Sequence, residues 1–169
     1  PAVFRNPYQE CVTDEVAVLA WGNMLHTRHE CLAEKLRDAY LSNGPDGVRR
    51  LEACFGAVVL DRRERSAHIL CDEIGLRALH YVVKSGRLYV SPHHAVLVAS
   101  AAVAPEYDPV AVASTIVLDW PIRNQGLLKG VCCLRPEKRL VFQEGELREY
   151  VRVPVQEALG QRRTQAKTV

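Results

Sequence analysis

The chain has 169 residues, a length typical of one domain, and 48% of its residues are hydrophobic while 25% are charged. A chain of this length buries about 70% of its extended surface on folding, so it needs no disulfides for a core, and its charge is too low for wholesale disorder. Twenty-two Lys and Arg residues against twenty Asp and Glu leave a net charge of +2. This balance does not favour nucleic acid as a partner.

The sequence also argues against a membrane segment and against secretion. The longest weakly polar run covers residues 95–104, about half of the ~20 residues that span a bilayer. The first residues lack the basic and apolar regions of a secretory signal, so a cytoplasmic location is expected by default. The six cysteines show no C-x-x-C spacing, and we expect them to be reduced and mostly structural.

The first third of the chain predicts a strand followed by a helix. Residues 16–21 form a short apolar run closed by Gly22 and Asn23, which favours a strand. Apolar residues at helical spacing predict a helix over residues 29–41, which the polar run 42–47 should end. A short helical piece over residues 48–51 would follow.

From residue 54 onward the pattern predicts antiparallel hairpins and two further helices. The predicted strands cover residues 54–60, 67–71, 79–83, 88–91, 130–134, 139–143 and 146–151. Pro92 is placed in the first turn of a helix over residues 92–102. Asp108 and Pro109 should begin a second helix, with Asp108 as N-cap, that runs to about Leu118.

This order of elements predicts one α+β domain, without internal repeats or low-complexity segments. Residues 1–15 lack a clean period and are interpreted as an N-terminal segment. The domain itself is placed at residues 16–154, and residues 155–169 form a polar, basic tail or linker that we expect to fray.

Several segments in a fixed order carry a more specific signal than the composition. They read LEACFGAVVLD from residue 51, CDEIGLRALHY from residue 71, GRLYVS from residue 86 and LLKGVCCLRP from residue 127. Together they resemble the N-terminal class II glutamine amidotransferase domain of the asparagine synthetase family. The positions that match the structural motif of that family are Phe55, Asp61, Asp72, Gly75, Tyr81 and Ser91.

The resemblance implies an Ntn-hydrolase-like fold, a sandwich of two antiparallel sheets flanked by helices. In active members of the family an N-terminal Cys attacks the glutamine amide, its own amine serves as base, and an Asn-Gly pair forms the oxyanion hole. Here residue 1 is Pro and the nearest cysteine is Cys11. The front of the family pattern, including an Arg-bearing segment that grips the substrate carboxylate, is expected to be missing. The expected fold is therefore N-terminally shortened.

The positions that handle glutamine in the family also differ here. Trp21-Gly22-Asn23 stands where the family has N-G-E, so the side-chain donor of the oxyanion hole is lost. Leu32, two residues before Glu34, replaces the carboxylate that would hold the substrate ammonium. The resemblance thus implies no catalytic residue in this chain and predicts a degenerate, non-hydrolysing glutaminase-like domain.

Among relatives, the chain is most similar in kind to the nucleophile-less domains of lasso-peptide macrolactam synthetases and β-lactam synthetases. In those enzymes a following domain carries the ATP chemistry on an S-G-G-x-D-S loop, which does not occur in this sequence. We expect no cofactor in this chain. The expected partner is an ATP-dependent, asparagine-synthetase-like domain or subunit that uses ATP and Mg²⁺ on a peptide or amino-acid-derived substrate. Neither nucleic acid nor a membrane is an expected partner.

A few residues have alternative interpretations. The amine of Pro1 could act as a general base in a tautomerase-like enzyme, against the simpler view that a preceding Met was trimmed. Asp72 is expected to hold the turn at Gly75 rather than to perform chemistry. Trp21 and Trp120 could belong to a partner interface or to the core.

Histidines and cysteines could in principle form a metal site, but ordinary surface histidines are the preferred interpretation and no metal is expected. The groups considered are His26, His29 and Cys31, and the pair His93 and His94.

Two other functions stay open at this point. One is a residual glutamine amidohydrolase in which Cys11 or a processed chain start supplies the nucleophile. The other is a stand-alone binding module with a small-molecule pocket where glutamine once sat, which Trp21 should obstruct.

Overall fold

The computed structural model of the chain describes residues 8–26, 30–48, 50–119 and 125–151. Pro1, His29, Trp120 and the predicted tail at residues 155–169 lie outside these ranges, as do the interpretations that depend on them. Among the described residues, no helix is long and apolar enough to cross a membrane.

Nine strands and three helices make up the described part of the chain. The strands are β1 Tyr8–Val12, β2 Val16–Met24, β3 Ala53–Asp61, β4 Ser66–Cys71, β5 His80–Lys84, β6 Arg87–Ser91, β7 Cys132–Cys133, β8 Lys138–Gln143 and β9 Glu146–Val151. The helices are α1 Leu32–Val48, α2 His94–Ala99 and α3 Pro109–Leu118.

The strands form two sheets, and every pair of neighbouring strands is antiparallel. The larger sheet has six strands in the order β1-β2-β3-β4-β8-β9, and the smaller has three in the order β6-β5-β7. The predicted fold class, α+β with two antiparallel sheets, is confirmed.

Helix α1 closes one face of the large sheet. In β2, buried residues alternate with half-buried ones from Val16 to Trp21, so Val18 and its same-face neighbours point toward the helix. On α1, Leu32 and Leu36 lie four residues apart on one side and are fully buried in the same cluster as Phe55 of β3. This contact forms the main core.

The small sheet packs on the opposite face, where Ile69 of β4 and Leu140 of β8 meet Tyr81 of β5 and Leu79 just before it. The small sheet covers only part of that face, because it has three strands against six. Val12 and Leu60 on the uncovered part stay 62% and 48% exposed.

A buried polar network ties α1 to the end of β3. The Tyr40 hydroxyl donates to Asp61 at 3.2 Å, and the Arg63 guanidinium donates to the same carboxylate at 3.0 Å. Burial alone would raise the pKa of Asp61, but the hydrogen bonds from Arg63, from the Glu64 N–H and from Tyr40 outweigh it and leave that pKa below its ordinary value. The same burial, with the negative charge of Asp61, raises the pKa of Tyr40.

Asp72 organises the turn after β4. Its carboxylate accepts backbone N–H bonds from Phe55 at 3.0 Å, Ile74 at 3.0 Å and Leu76 at 3.3 Å. Gly75 in this turn has φ +66°, and a Cβ there would stand 3.2 Å from the ring of Pro136. The Asp72 side chain therefore connects the turn after β4 to strand β3.

Two other residues of the family motif join neighbouring elements. The Tyr81 hydroxyl donates to Glu149 at 3.2 Å, which links the small sheet to β9 of the large sheet. The Ser91 hydroxyl accepts the backbone N–H of His93 at 3.0 Å, just before α2 begins.

The structure differs from the predicted elements in several places. Strand β1 lies inside the N-terminal segment for which no element was predicted. Its side chains that face α1 are Gln9 and Cys11, which give no apolar alternation. Gly22 and Asn23 do not end β2, since they continue to pair with β3 as far as Met24.

The helices differ mainly at their ends. Helix α1 begins at Leu32 and kinks at Asn43 and Gly44, so the predicted stop is present. The short helical piece follows the kink and ends at Val48 instead of covering 48–51, since Pro45 can open a new first turn there. Helix α2 is confined to His94–Ala99.

Candidate functional site

The five residues predicted at the degenerate glutamine site do not converge on one pocket. Trp21, Gly22 and Asn23 lie at the end of β2, while Leu32 and Glu34 lie in the first turn of α1. The two segments are about ten residues apart in the sequence, but their side chains line different cavities or pack in the core.

Trp21 is half-buried against the small sheet and lines an apolar groove with Leu19 and Leu60 of the large sheet and Leu88 and Val90 of β6. It does not line the separate polar hollow that Gln9, Asn23, Met24, Leu25 and Glu30 form at the end of β2. The prediction that Trp21 obstructs a pocket at the former glutamine position therefore does not apply to this hollow.

Gly22 is fixed by a close approach of two backbones. Its φ is +137°, and a Cβ at this position would lie 1.9 Å from the carbonyl oxygen of Cys54 on β3. Any side chain would collide with the neighbouring strand and would also be strained. The glycine is thus required by packing, whatever its part in chemistry.

Asn23 is exposed and lines a hollow of about 500 Å³ together with Gln9, Met24, Leu25 and Glu30. The side chain of Gln9 crosses from β1 to accept the backbone N–H of Leu32 at 2.6 Å. It thereby caps the first turn of α1 with an amide oxygen, as an N-cap side chain would.

Glu30 supplies the negative charge at the rim of this hollow. Lys35 forms an ion pair with it at 2.9 Å, and the hydrogen bond to Glu30 raises the pKa of Lys35. The hollow thus offers amide groups and a carboxylate whose charge is already balanced.

Leu32 and Glu34 point in opposite directions. The Leu32 side chain is fully buried in the core under the large sheet, and Glu34 is exposed on the first turn. Neither presents a carboxylate to the hollow beside Asn23.

Cys11 lies far from the end of β2. It pairs with Val18 across the ladder and receives a hydrogen bond from the Arg37 guanidinium at 3.0 Å. Gly22 is four residues beyond Val18 on β2, which corresponds to roughly 13 Å at ~3.3 Å per residue.

Cys54 is the cysteine opposite Asn23 in the β2–β3 ladder. Burial, and then the negative charge of Asp72, raise the pKa of its thiol, while Arg77 acts in the other direction. A nucleophilic cysteine needs a lowered pKa, so this environment does not favour the thiolate of Cys54.

No three His, Cys, Asp or Glu side chains converge as a metal site within residues 8–26, 30–48, 50–119 and 125–151. His26 forms an exposed ion pair with Glu52 at 3.4 Å. His94 stacks on His80, with ring centroids 3.8 Å apart.

Sequence reasoning missed Gln9 and Glu30 as residues of the hollow. Gln9 lies in a segment without periodicity, and its role as a cap depends on the pairing of β1 with β2. Glu30 gives no sequence signal either, because the conformation of the loop before α1 places it at the hollow.

A search for known families decides the affiliation, because the pattern of the glutamine amidotransferase domain matches residues 19–151. The chain belongs to this family. The match begins within β2 and ends at the last residue of β9, so it spans both sheets. The amidotransferase domain keeps the two antiparallel sheets that the resemblance implied.

Among solved structures, the chain is similar to glutamine phosphoribosylpyrophosphate amidotransferase from B. subtilis, complexed with ADP and GMP. The two share 9% sequence identity with a TM-score of 0.49, and the similarity covers 87% of this chain but 31% of that chain. No curated protein matches the chain.

Proposed function

We propose that this amidotransferase domain lacks glutaminase chemistry and acts as a non-catalytic part of an ATP-dependent, asparagine-synthetase-like enzyme that forms amide bonds. Its place in the cell would be the cytoplasm, where ATP is available. In this role the domain packs against the domain or subunit that binds ATP and Mg²⁺.

The environment of Leu32 carries this proposal. In the family that the sequence resembles, this position holds a carboxylate for the substrate ammonium. Here an apolar side chain fills the core, and the N–H of the same residue is occupied by Gln9. Replacing a carboxylate that binds a cation by the buried isobutyl side chain of leucine removes the charge-assisted hydrogen bond on which recognition depends.

The placement of the cysteines gives further support. Cys11 lies roughly 13 Å along the strand from Gly22. Cys54 lies beside Asn23, but burial raises the pKa of its thiol. These positions speak against a residual amidohydrolase that would use either thiol.

An exposed apolar helix supports the packing role. On α3, Val110, Ile116 and Val117 are 61%, 77% and 78% exposed. Scattered apolar residues on a surface need no explanation, but several on one short helix favour burial against another protein.

The absence of glutaminase chemistry can be tested with a glutamine-directed electrophile. We expect no cysteine to be alkylated when the full chain is incubated with diazo-oxo-norleucine and digested for mass spectrometry. Iodoacetamide on the unfolded chain is the control, because it should label all six cysteines. Labelling of Cys11 or Cys54 by the glutamine analogue would contradict the proposal.

The partner needs a separate experiment. We expect the chain to copurify with a polypeptide that carries an S-G-G-x-D-S loop, and ATP–pyrophosphate exchange by that polypeptide to fall when this chain is removed. Exchange that is unchanged by removal of this chain would contradict the packing role, even if the labelling experiment gives the expected result.

A further inference from the structure

The groove beside Trp21 combines an apolar floor with a strand edge that no described residue pairs with. The floor is formed by the uncovered side chains of β1, β2 and β3, among them Val12, Leu19 and Leu60. The volume of the groove is about 430 Å³. Leu88 and Val90 of β6 form one wall. Among the described residues, β6 pairs with β5 alone.

The turn between β5 and β6 determines which backbone groups face the groove. Ser85 and Gly86 form a two-residue loop with φ values of 50° and 68°, as in a type I′ turn. Lys84 and Arg87, which flank this loop, then form a hydrogen-bonded pair, and such pairs alternate along the ladder. Leu88 and Val90 fall between them, so their N–H and C=O groups point away from β5.

The side chains and backbone of the same two residues therefore face one space. Leu88 and Val90 pack toward the large sheet with Trp21 and Val58, while their backbone groups point along the sheet toward the uncovered floor. The described residues form no hydrogen bond with this outer edge of β6. An unpaired edge above an apolar floor is the arrangement that accepts an added strand.

We propose that this groove binds an extended segment of a partner protein, which pairs with the outer edge of β6 and lays alternate apolar side chains on the floor. Glu10 on β1 is the ionisable side chain among the residues that line the groove. Its carboxylate favours a Lys or Arg in the segment at the position that passes over β1. The inference rests on the groove alone and does not depend on the proposed ATP-dependent partner.

A second copy of the chain does not fit this groove. If two copies paired their β6 strands antiparallel about a two-fold axis, both large sheets would lie on the same side and compete for the space under the groove. Parallel pairing would turn over the second copy and place Arg87 and Tyr89 on the apolar floor. A single extended strand fits without either conflict.

The proposal can be tested with linear octapeptides displayed on phage and selected against the full chain. We expect the selected peptides to alternate apolar and polar residues and to carry Lys or Arg near one end. Binding of a synthetic version should slow hydrogen exchange at the amides of Leu88 and Val90 and should change the fluorescence of Trp21. N-methylation of the peptide at alternate residues should abolish binding.

Variants on the two sides of the groove give matched controls. Leu60→Lys should weaken the selected peptide at least tenfold, whereas Ile74→Lys, at an apolar residue that is 70% exposed outside the groove, should leave it unchanged. Glu10→Lys should weaken a peptide with a terminal Lys by roughly two- to fivefold and strengthen its Glu version, as expected for an exposed ion pair.

Three results would overturn the proposal. One is the absence of any enriched peptide, and another is equal binding to the Leu60→Lys and Ile74→Lys variants. The third is slow exchange at Leu88 and Val90 in the chain without peptide, which would assign the edge to a segment of the same chain or, if sedimentation shows a dimer, to a second copy.

Discussion

The two faces of the large sheet are built on different principles, although the same strands form both. The face under α1 is closed by long apolar side chains and by a polar network in which Asp61 receives bonds from Tyr40 and Arg63. The opposite face is covered by a smaller sheet and keeps an open apolar groove. We infer that the first face holds the fold together and that the second is available for interaction.

The closed face also bears on the proposal that this domain lacks glutaminase chemistry. Leu32, which the resemblance places where the family holds a carboxylate, is fully buried in the closed face and contributes to stability there. A side chain that is buried in the core, as Leu32 is, is not available to bind a substrate cation.

The largest expected effect concerns the closed face. Leu36→Ala should lower the free energy of unfolding by about 2–5 kcal/mol, because the Leu36 side chain is fully buried and its loss leaves a cavity. Leu60→Ala on the open face is the matched control and should cost less than about 1 kcal/mol. Urea denaturation of both variants measures the difference, and equal losses would mean that the two faces are not distinct.

A smaller effect is expected at the strand end next to the hollow. Gly22→Ala should cost about 1–3 kcal/mol, because the new Cβ would meet the Cys54 carbonyl and φ is +137°. Gly86→Ala provides the control: φ there is +68° and nothing lies within 4 Å of the added Cβ, so backbone strain of about 1 kcal/mol is the whole cost. Equal stability of the two variants in urea would show that β2 and β3 separate easily at this end.

Much of the fold could be predicted from the sequence, since apolar periodicity and turn residues are local signals. The α3 boundaries follow from Asp108 and Pro109, and the side chain of Asp108 accepts the N–H groups of Val110 and Ala111 at 2.9 Å as an N-cap should. Strand β1 could not be predicted, because its stability comes from pairing with β2 and from the bond between Gln9 and α1.

The site was less predictable than the fold. The glutamine-site positions could be aligned with the family, but the direction of each side chain depends on which sheet face it occupies. Trp21 and Asn23 are two residues apart and line different cavities, because the hollow beside Asn23 lies at the end of β2 and is completed by Leu25 and Glu30. The groove itself depends on the unequal number of strands in the two sheets, which no local pattern reports.

The last difference between the two sheets should appear only in acid. Burial, and then the positive charges that His94 and His93 can acquire, lower the pKa of His80 from 6.5 to about 4 in the folded chain. The unfolded chain therefore binds more protons than the folded chain between these values, so the stability contributed by neutral His80 is lost as the pH falls from about 6.5 to about 4. The lowered pKa of Asp61 keeps its hydrogen bonds intact down to about pH 4, but burial also lowers the pKa of His68, which packs against Tyr40, so this face has a loss of its own below about pH 6.5. Urea denaturation at pH 7.5, 5 and 3.5 measures these losses. The loss of stability between pH 7.5 and 5 should shrink in His80→Gln, and the loss between pH 5 and 3.5 should shrink in Asp61→Asn. A decline between pH 7.5 and 5 that is the same in His80→Gln as in the parent chain would place the acid-sensitive group elsewhere.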